Sequence, residues 1–234
     1  MNPHTPARYH ELEHFLIPLS DGRKLSARAW LPETAWEHRA PAILEYLPYR
    51  KRDGTALRDE STYPIFASHG YAGVRVDISG TGESDGDFDD EYSPRELADG
   101  VEVIAWIAKQ DWCDGSIGMM GISWGGFNAL QIAAMNPPAL KAVVAIGTTV
   151  DRYNDDIHYK NGCLLYSNAW WSAVMQCYTS RPPDPALVGE CWRDMWLHRL
   201  QTQPFPLEAW LSHQRRDDYW RHGSVCENYA ALTT

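Results

Sequence analysis

Ser116-Ile117-Gly118-Met119-Met120-Gly121-Ile122-Ser123-Trp124-Gly125-Gly126 is the stretch on which the fold turns. Ser116–Gly121 reads as a buried strand, because it is apolar, short and bounded by glycine. Gly125–Met135 then carries a helical pattern that Asn136-Pro137-Pro138 stops. The junction, Gly121-Ile122-Ser123-Trp124-Gly125, is a G-x-S-x-G sequence set between a strand and a helix, the context of a nucleophile elbow. In such a turn the serine backbone is strained, and small residues two positions before and after it avoid collision with neighbouring backbone. Ser123 is therefore expected to stand above the sheet at the start of the helix, whose dipole favours a developing oxyanion.

The surrounding sequence alternates strand and helix signals, which predicts a mostly parallel sheet covered by helices. Leu140–Gly147 reads as a buried strand after the elbow helix. Arg95–Gln110 places Leu97, Val101, Ile104, Ala105 and Ala108 at helical spacing, with Ser93-Pro94 as its start signal. Ala42–Leu47 and Gly73–Asp77 read as strands, with a helix between them ending near His69-Gly70. His14–Leu19 and Lys24–Leu31 flank Ser20-Asp21-Gly22-Arg23, where Asp-Gly supplies the positive φ of a hairpin turn. From Asp151 onward Trp170, Trp171, Trp192, Trp196, Trp210 and Trp220 lie among Pro-separated helical stretches. This predicts a sheet-containing unit over residues 1–150 and a helical insertion over 151–234.

Composition narrows the function. The 234 residues carry 21 Lys+Arg against 31 Asp+Glu, a net charge of −10, and Arg50-Lys51-Arg52 is the longest basic run. Nucleic acid is not an expected partner. No apolar run reaches the roughly 20 residues of a bilayer span, and the N-terminus lacks an apolar leader core, so no membrane association and a cytoplasmic location are expected. Cys113, Cys163, Cys177, Cys191 and Cys226 are odd in number and widely spaced, which fits reduced thiols better than bridges or a zinc site.

Two further stretches bear on chemistry. Tyr46-Leu47-Pro48-Tyr49-Arg50-Lys51 ends the third strand, where part of an oxyanion hole is expected, and Tyr49 is either that donor or a packing aromatic. Val76 to Gly86 is glycine-rich, but Asp85 stands where a dinucleotide loop needs its third glycine, and the adjoining acids repel pyrophosphate. It reads as a structural loop beside the site. The tryptophans after Asp151 read mainly as core between helices. Trp124, next to Ser123, is expected to hold its side chain near the acyl site and to shape acyl specificity.

Taken together, these landmarks resemble the Xaa-Pro dipeptidyl-peptidase and cocaine-esterase group of α/β-hydrolases, the peptidase S15 or CocE/NonD family. The resemblance rests on Pro48-Tyr49-Arg50-Lys51, Gly80 to Gly86, Trp112-Cys113-Asp114-Gly115, Gly121 to Gly126 and Asp217-Asp218-Tyr219-Trp220. It implies an α/β-hydrolase fold with a helical cap, and an enzyme that transfers the acyl group of a small-molecule ester or peptide substrate to water without cofactor or metal. It implies Ser123 as nucleophile, with the Tyr49 hydroxyl and the Trp124 backbone N–H as the oxyanion hole. Two departures follow. Ser79 stands where relatives usually carry Arg, leaving the ordering of that loop in doubt. The family's acid and base, its last strands and its C-terminal β-sandwich are expected beyond residue 234, so the chain reads as a fragment, inactive on its own and open to homo-oligomer formation through an unpaired sheet edge. Asp151 as acid, and His158, His198, His213 or His222 as base, are the internal substitutes, and none is favoured. A non-catalytic binding protein of the same fold is the alternative.

Overall fold

A computed structural model describes residues 8–233. The central sheet contains β1 (Tyr9–Pro18), β2 (Lys24–Pro32), β3 (Ala40–Leu47), β4 (Ala72–Asp77), β5 (Cys113–Ile122) and β6 (Leu140–Ile146) in the order β1-β2-β4-β3-β5-β6. The first two strands form the expected hairpin and β2 runs antiparallel to β4. The pairs β4–β3, β3–β5 and β5–β6 are all parallel. The connections are α1 (Ala56–Ser68), α2 (Pro94–Ile107) and α3 (Trp124–Ala133).

Element types match the sequence reading, while several boundaries differ for local reasons. The first strand begins at Tyr9, five residues before the expected His14, because an irregularity between Leu12 and Phe15 resets the alternation. The fifth starts at Cys113 and runs to Ile122, since the backbone stays extended up to the serine itself. The helix after Ser93 ends at Ile107, short of the expected Gln110. Its Ser93 hydroxyl accepts a hydrogen bond from the Glu96 N–H at 3.2 Å, a capping contact that fixes its start.

The two faces of the sheet are unequally covered. On one, α2 and α3 seal a core containing Leu44, Tyr46, Val74, Val103, Ile104, Met119, Trp124 and Ile132. On the other, α1 covers β2 and β4 through a stack of Trp30, Tyr63 and Ala67. Beyond that helix lies a depression of about 520 Å³ lined by Ile43, Phe66, Tyr71, Met120 and Val144. Among the described residues β6 has one sheet neighbour, β5, so the strand expected to be buried is instead largely exposed, with Val144 and Ile146 open and Leu140 alone buried.

After β6 the chain forms the short hairpin β7 (Tyr159–Lys160) and β8 (Cys163–Leu164), then α4 (Ser167–Thr179), α5 (Pro185–Val188), α6 (Trp192–Thr202), α7 (Pro206–Ser212) and α8 (Asp218–Arg221). Tyr153, Tyr159, Trp210 and Trp220 make a separate aromatic core here. The tryptophans divide by position: Trp210 and Trp220 are fully buried, Trp170 is exposed and Trp171 lies between. All five cysteines are free.

Candidate active site

Ser123 joins β5 to α3 with φ 56° and ψ −119°, a conformation that L-residues adopt at a cost. Its flanking glycines are required by space. A Cβ on Gly121 would lie 2.2 Å from the Gly125 carbonyl carbon, and one on Gly125 would lie 2.8 Å from Leu47 Cδ2. Backbone bonds pin the turn from both sides: the Ser123 N–H donates to Ile146 O at 2.8 Å, and the Phe127 N–H donates to Ser123 O at 3.0 Å. Ser123 itself is half-buried at the helix N-terminus.

Tyr49 reaches this hydroxyl from the loop after β3. Its Oη lies 3.5 Å from Ser123 Oγ and accepts the Trp124 N–H at 3.4 Å. Its ring packs edge-on to Trp171, with centroids 6.1 Å apart, and against Tyr178 at 5.4 Å. Burial pushes its phenol up to about 12, against the pull of Ser123 and Trp124. The phenol is therefore a neutral donor at ordinary pH. The structure thus brings together the three residues singled out in the sequence: Ser123, Tyr49 and Trp124.

The Tyr49 loop is anchored by charges that sequence patterns did not reveal. Arg50, at φ 63°, donates to the carbonyls of Arg181 and Pro182 at 3.0 and 2.6 Å, tying the loop to the segment after α4. The Lys51 N–H donates to Asp77 at 2.9 Å, while its ammonium meets Glu83 at 2.7 Å in full burial. Burial raises Asp77 to about 6, against the attraction of Arg75 and Lys51. The glycine-rich stretch packs against these groups. A Cβ on Gly82, at φ 53°, would lie 2.2 Å from Asp77 Oδ2, and Arg199 donates to Gly82 O and Ser84 O. Ser79 donates to Asp99 at 2.9 Å and accepts from Arg23, which also pairs with Asp99 at 2.7 Å. A guanidinium from the β1–β2 turn therefore orders this loop.

The Trp124 side chain corrects the expectation placed on it. Its indole is fully buried under α3, packs on Tyr92 and Phe88, and donates to Glu96 Oε1 at 2.7 Å. The backbone N–H of this residue is what meets Tyr49 Oη beside Ser123. The aromatics that touch Tyr49 from the helical region are Trp171 and Tyr178, both on α4. Beside them runs a groove of about 680 Å³ lined by Asp53, Gly54, Trp170, Val174, Cys177 and Tyr178.

The internal alternatives for acid and base are otherwise engaged. The Asp151 carboxylate caps the turn after β6, accepting from the N–H groups of Tyr153 and Asn154 at 3.0 Å each. Burial works against it, yet the hydrogen bonds from Asn154 and Tyr153 hold it at about 2. His158 is buried between Glu91 at 2.7 Å and Asn168 at 2.9 Å. His198 pairs with Asp87, His213 with Asp217, and His222 bonds to the carbonyl of Tyr92. Among the described residues the hydrogen-bond partner of Ser123 Oγ is Tyr49, and no imidazole reaches it.

Comparisons with known proteins bear on the family and the fold. The chain is 31% identical to the cocaine esterase of a Rhodococcus species, over 97% of its own length and 42% of that protein. It is 36% identical to a putative serine esterase of Mycobacterium bovis over 59% of its length, 25% of the relative. A CocE/NonD family hydrolase from Staphylococcus aureus shares the fold at TM-score 0.74 and 19% identity, covering 93% of this chain and 38% of that structure. An α-amino acid ester hydrolase superposes at TM-score 0.69 and 22% identity, over 97% and 41% of the two chains. The chain thus spans about two fifths of the full-length relatives it matches along most of its length. The family model of the X-Pro dipeptidyl-peptidase (S15 family) matches residues 21–234, and the chain belongs to that family.

Proposed function

We propose that the protein is a serine hydrolase that transfers the acyl group of a small ester or peptide to water. The observation that carries this is the strained Ser123 at the start of α3, with the Tyr49 hydroxyl and the Trp124 N–H converging beside it. Ser123 Oγ attacks the substrate carbonyl carbon, and the carbonyl oxygen becomes an anion. That anion takes the space between Tyr49 Oη–H and Trp124 N–H, replacing the long contacts those groups make to each other. Collapse expels the alcohol or amine and leaves an acyl-serine, which water then cleaves by the same route. A general base must take the Ser123 proton, and in this scheme an acid–base pair from outside the described residues supplies it. Neither metal nor cofactor is required. The relatives' names, cocaine esterase, serine esterase and Xaa-Pro dipeptidyl-peptidase, support ester or amide substrates.

Within this scheme residues 1–150 form the hydrolase body and 151–234 a helical cap beside the site. A cytoplasmic setting is supported by five unpaired cysteines, and no helix among the described residues is long and apolar enough to cross a membrane. The test is covalent labelling of the protein in its full natural length by a fluorophosphonate. Labelling at Ser123 that disappears in Ser123→Ala is the expected result. An unlabelled, folded protein would favour a non-catalytic binding role.

A further inference from the structure

Beneath the elbow lies a carboxylate with no cationic partner. Glu96, in the first turn of α2, is 4% exposed, and among the described residues no Lys, Arg or His forms an ion pair with it. Its environment consists of N–H donors. Oε1 accepts the Trp124 indole N–H at 2.7 Å and the Asn128 amide at 2.7 Å. Oε2 accepts the Tyr92 backbone N–H at 3.0 Å. Its own N–H is held by Ser93 at 3.2 Å, and its carbonyl accepts the Tyr46 hydroxyl at 3.0 Å. The Asn128 amide also donates to Tyr46 O at 3.0 Å, which joins the knot to β3. A buried carboxyl without a counter-ion is costly to hold and costlier to ionise, so its place in the core has to be set against what it holds.

What it holds is the first turn of α3. Trp124 and Asn128 are four residues apart and therefore lie on one face of the helix. One carboxylate oxygen binds both. This turn is the part of the helix that its own backbone secures least, since its leading N–H groups have no intrahelical acceptor. It is also attached to a serine in a strained conformation. The Trp124 backbone N–H meets Tyr49 Oη while its indole N–H is bonded to Glu96, so the residue is gripped by its side chain and presents its backbone N–H to the site. Rotation or slippage of that turn would swing the N–H away from Tyr49 and from the anion it is to meet.

We infer that Glu96 is a positioning residue for the oxyanion hole, acting through the Trp124 indole and the Asn128 amide to aim the Trp124 backbone N–H. This role rests on the serine-hydrolase chemistry proposed above. A donor aimed at charge that exists only in the transition state affects turnover more than substrate binding. A carboxylate that merely stabilised the fold would alter the amount of active protein and leave each surviving site unchanged.

The experiment uses the protein in its full natural length, with active sites counted by fluorophosphonate titration so that misfolded material is excluded. Glu96→Met removes the acceptor at similar side-chain length. It is expected to lower kcat per titrated site by about 10- to 100-fold, as for a catalytic group displaced by a fraction of an ångström to an ångström, with KM within about twofold. Phenylboronic acid, which adds to a serine oxygen as a tetrahedral anion, should lose affinity in parallel. Glu96→Gln keeps a carbonyl oxygen for the indole and the amide while its NH2 loses the Tyr92 N–H, and should recover part of both losses. Where Glu96→Met does not fold, Trp124→Phe removes a single bond to the carboxylate and should lower kcat by about 3- to 10-fold. Unchanged kcat and boronate affinity per titrated site in the variants that fold would overturn the inference while leaving the hydrolase proposal intact. Failure of the unsubstituted protein to be labelled would overturn both.

Discussion

Tyr49 Oη stands 3.5 Å from Ser123 Oγ, and the Trp124 N–H reaches the same oxygen at 3.4 Å. Both contacts are longer than the 2.7–3.0 Å at which such bonds are usually made. The phenol therefore bridges its neighbours weakly, and an anion placed among them would draw shorter, charge-assisted bonds from both donors. The relationship depends on the loop after β3, which Arg50 ties to the carbonyls of Arg181 and Pro182 and Lys51 ties to Asp77 and Glu83.

Tyr49→Phe in the full-length protein is expected to reduce kcat by roughly 10²- to 10³-fold with little change in KM, the cost of one oxyanion donor. Steady-state kinetics on a p-nitrophenyl ester measure this. An effect confined to KM would make Tyr49 a substrate-binding residue.

Gly121→Ala is expected to prevent the elbow from forming. The added methyl would lie 2.2 Å from backbone carbon and 2.6 Å from the Cα of Gly125, neither of which can rotate aside. Loss of soluble protein or of the folded circular-dichroism signal is the expected outcome. A soluble variant that still labels at Ser123 would show that α3 can shift to make room.

Glu91→Ala should destabilise the fold by about 3–5 kcal/mol, because it strips a carboxylate from two buried cations. Glu91 pairs with Arg152 at 3.1 Å and with His158 at 2.7 Å. Against the cost of burial, His158 and Arg152 hold its carboxyl below the usual range, and Glu91 in turn raises His158 despite that ring's own burial. Thermal melting should show a loss on the order of 10 °C, at about 2–4 °C per kcal/mol for a chain of this size.

Glu96 also predicts a pH dependence. Burial raises its carboxyl to about 8, against the hydrogen bonds from Trp124 and Asn128, whereas in the unfolded chain it titrates near 4.5. A raised folded value means that the folded state holds the proton more tightly between these limits. Stability from this group is therefore present below about pH 4.5 and is lost as pH climbs through 8. Asp77 and Asp156, each raised to about 6, add to the same trend in any variant that retains them. Urea midpoints at pH 5 and pH 8 should fall further apart in the unsubstituted protein than in Glu96→Gln. An equal spread would mean that Glu96 is ionised across the whole range.

The elbow is legible in the sequence because a strand, a tight turn and a helix each leave a local pattern, and glycines 121 and 125 mark where a side chain cannot fit. Tyr49 is legible only through the family landmark Pro48-Tyr49-Arg50-Lys51, since position alone leaves donor and packing aromatic equally open. Glu96 carries no such mark, and Lys51, although inside that landmark, carries none that names its partner. Their partners lie 28 and 32 residues further along the chain, and an isolated Glu in a first helical turn reads as a cap. Trp124 misleads for a related reason: adjacency to Ser123 says where its backbone lies, while the buried carboxylate below decides where its side chain goes.

The left-handed backbone at Ser123 sets activity against durability. A non-glycine residue held at such an angle costs on the order of 1–3 kcal/mol, and glycine at the same place would escape it, less the roughly 0.5–1 kcal/mol of extra freedom glycine gains when unfolded. Ser123→Gly should therefore melt higher than Ser123→Ala, which keeps the strain and loses the hydroxyl. A screen of variants for heat resistance alone would then reward removal of the nucleophile, so any effort to harden this protein has to score acyl transfer alongside melting temperature.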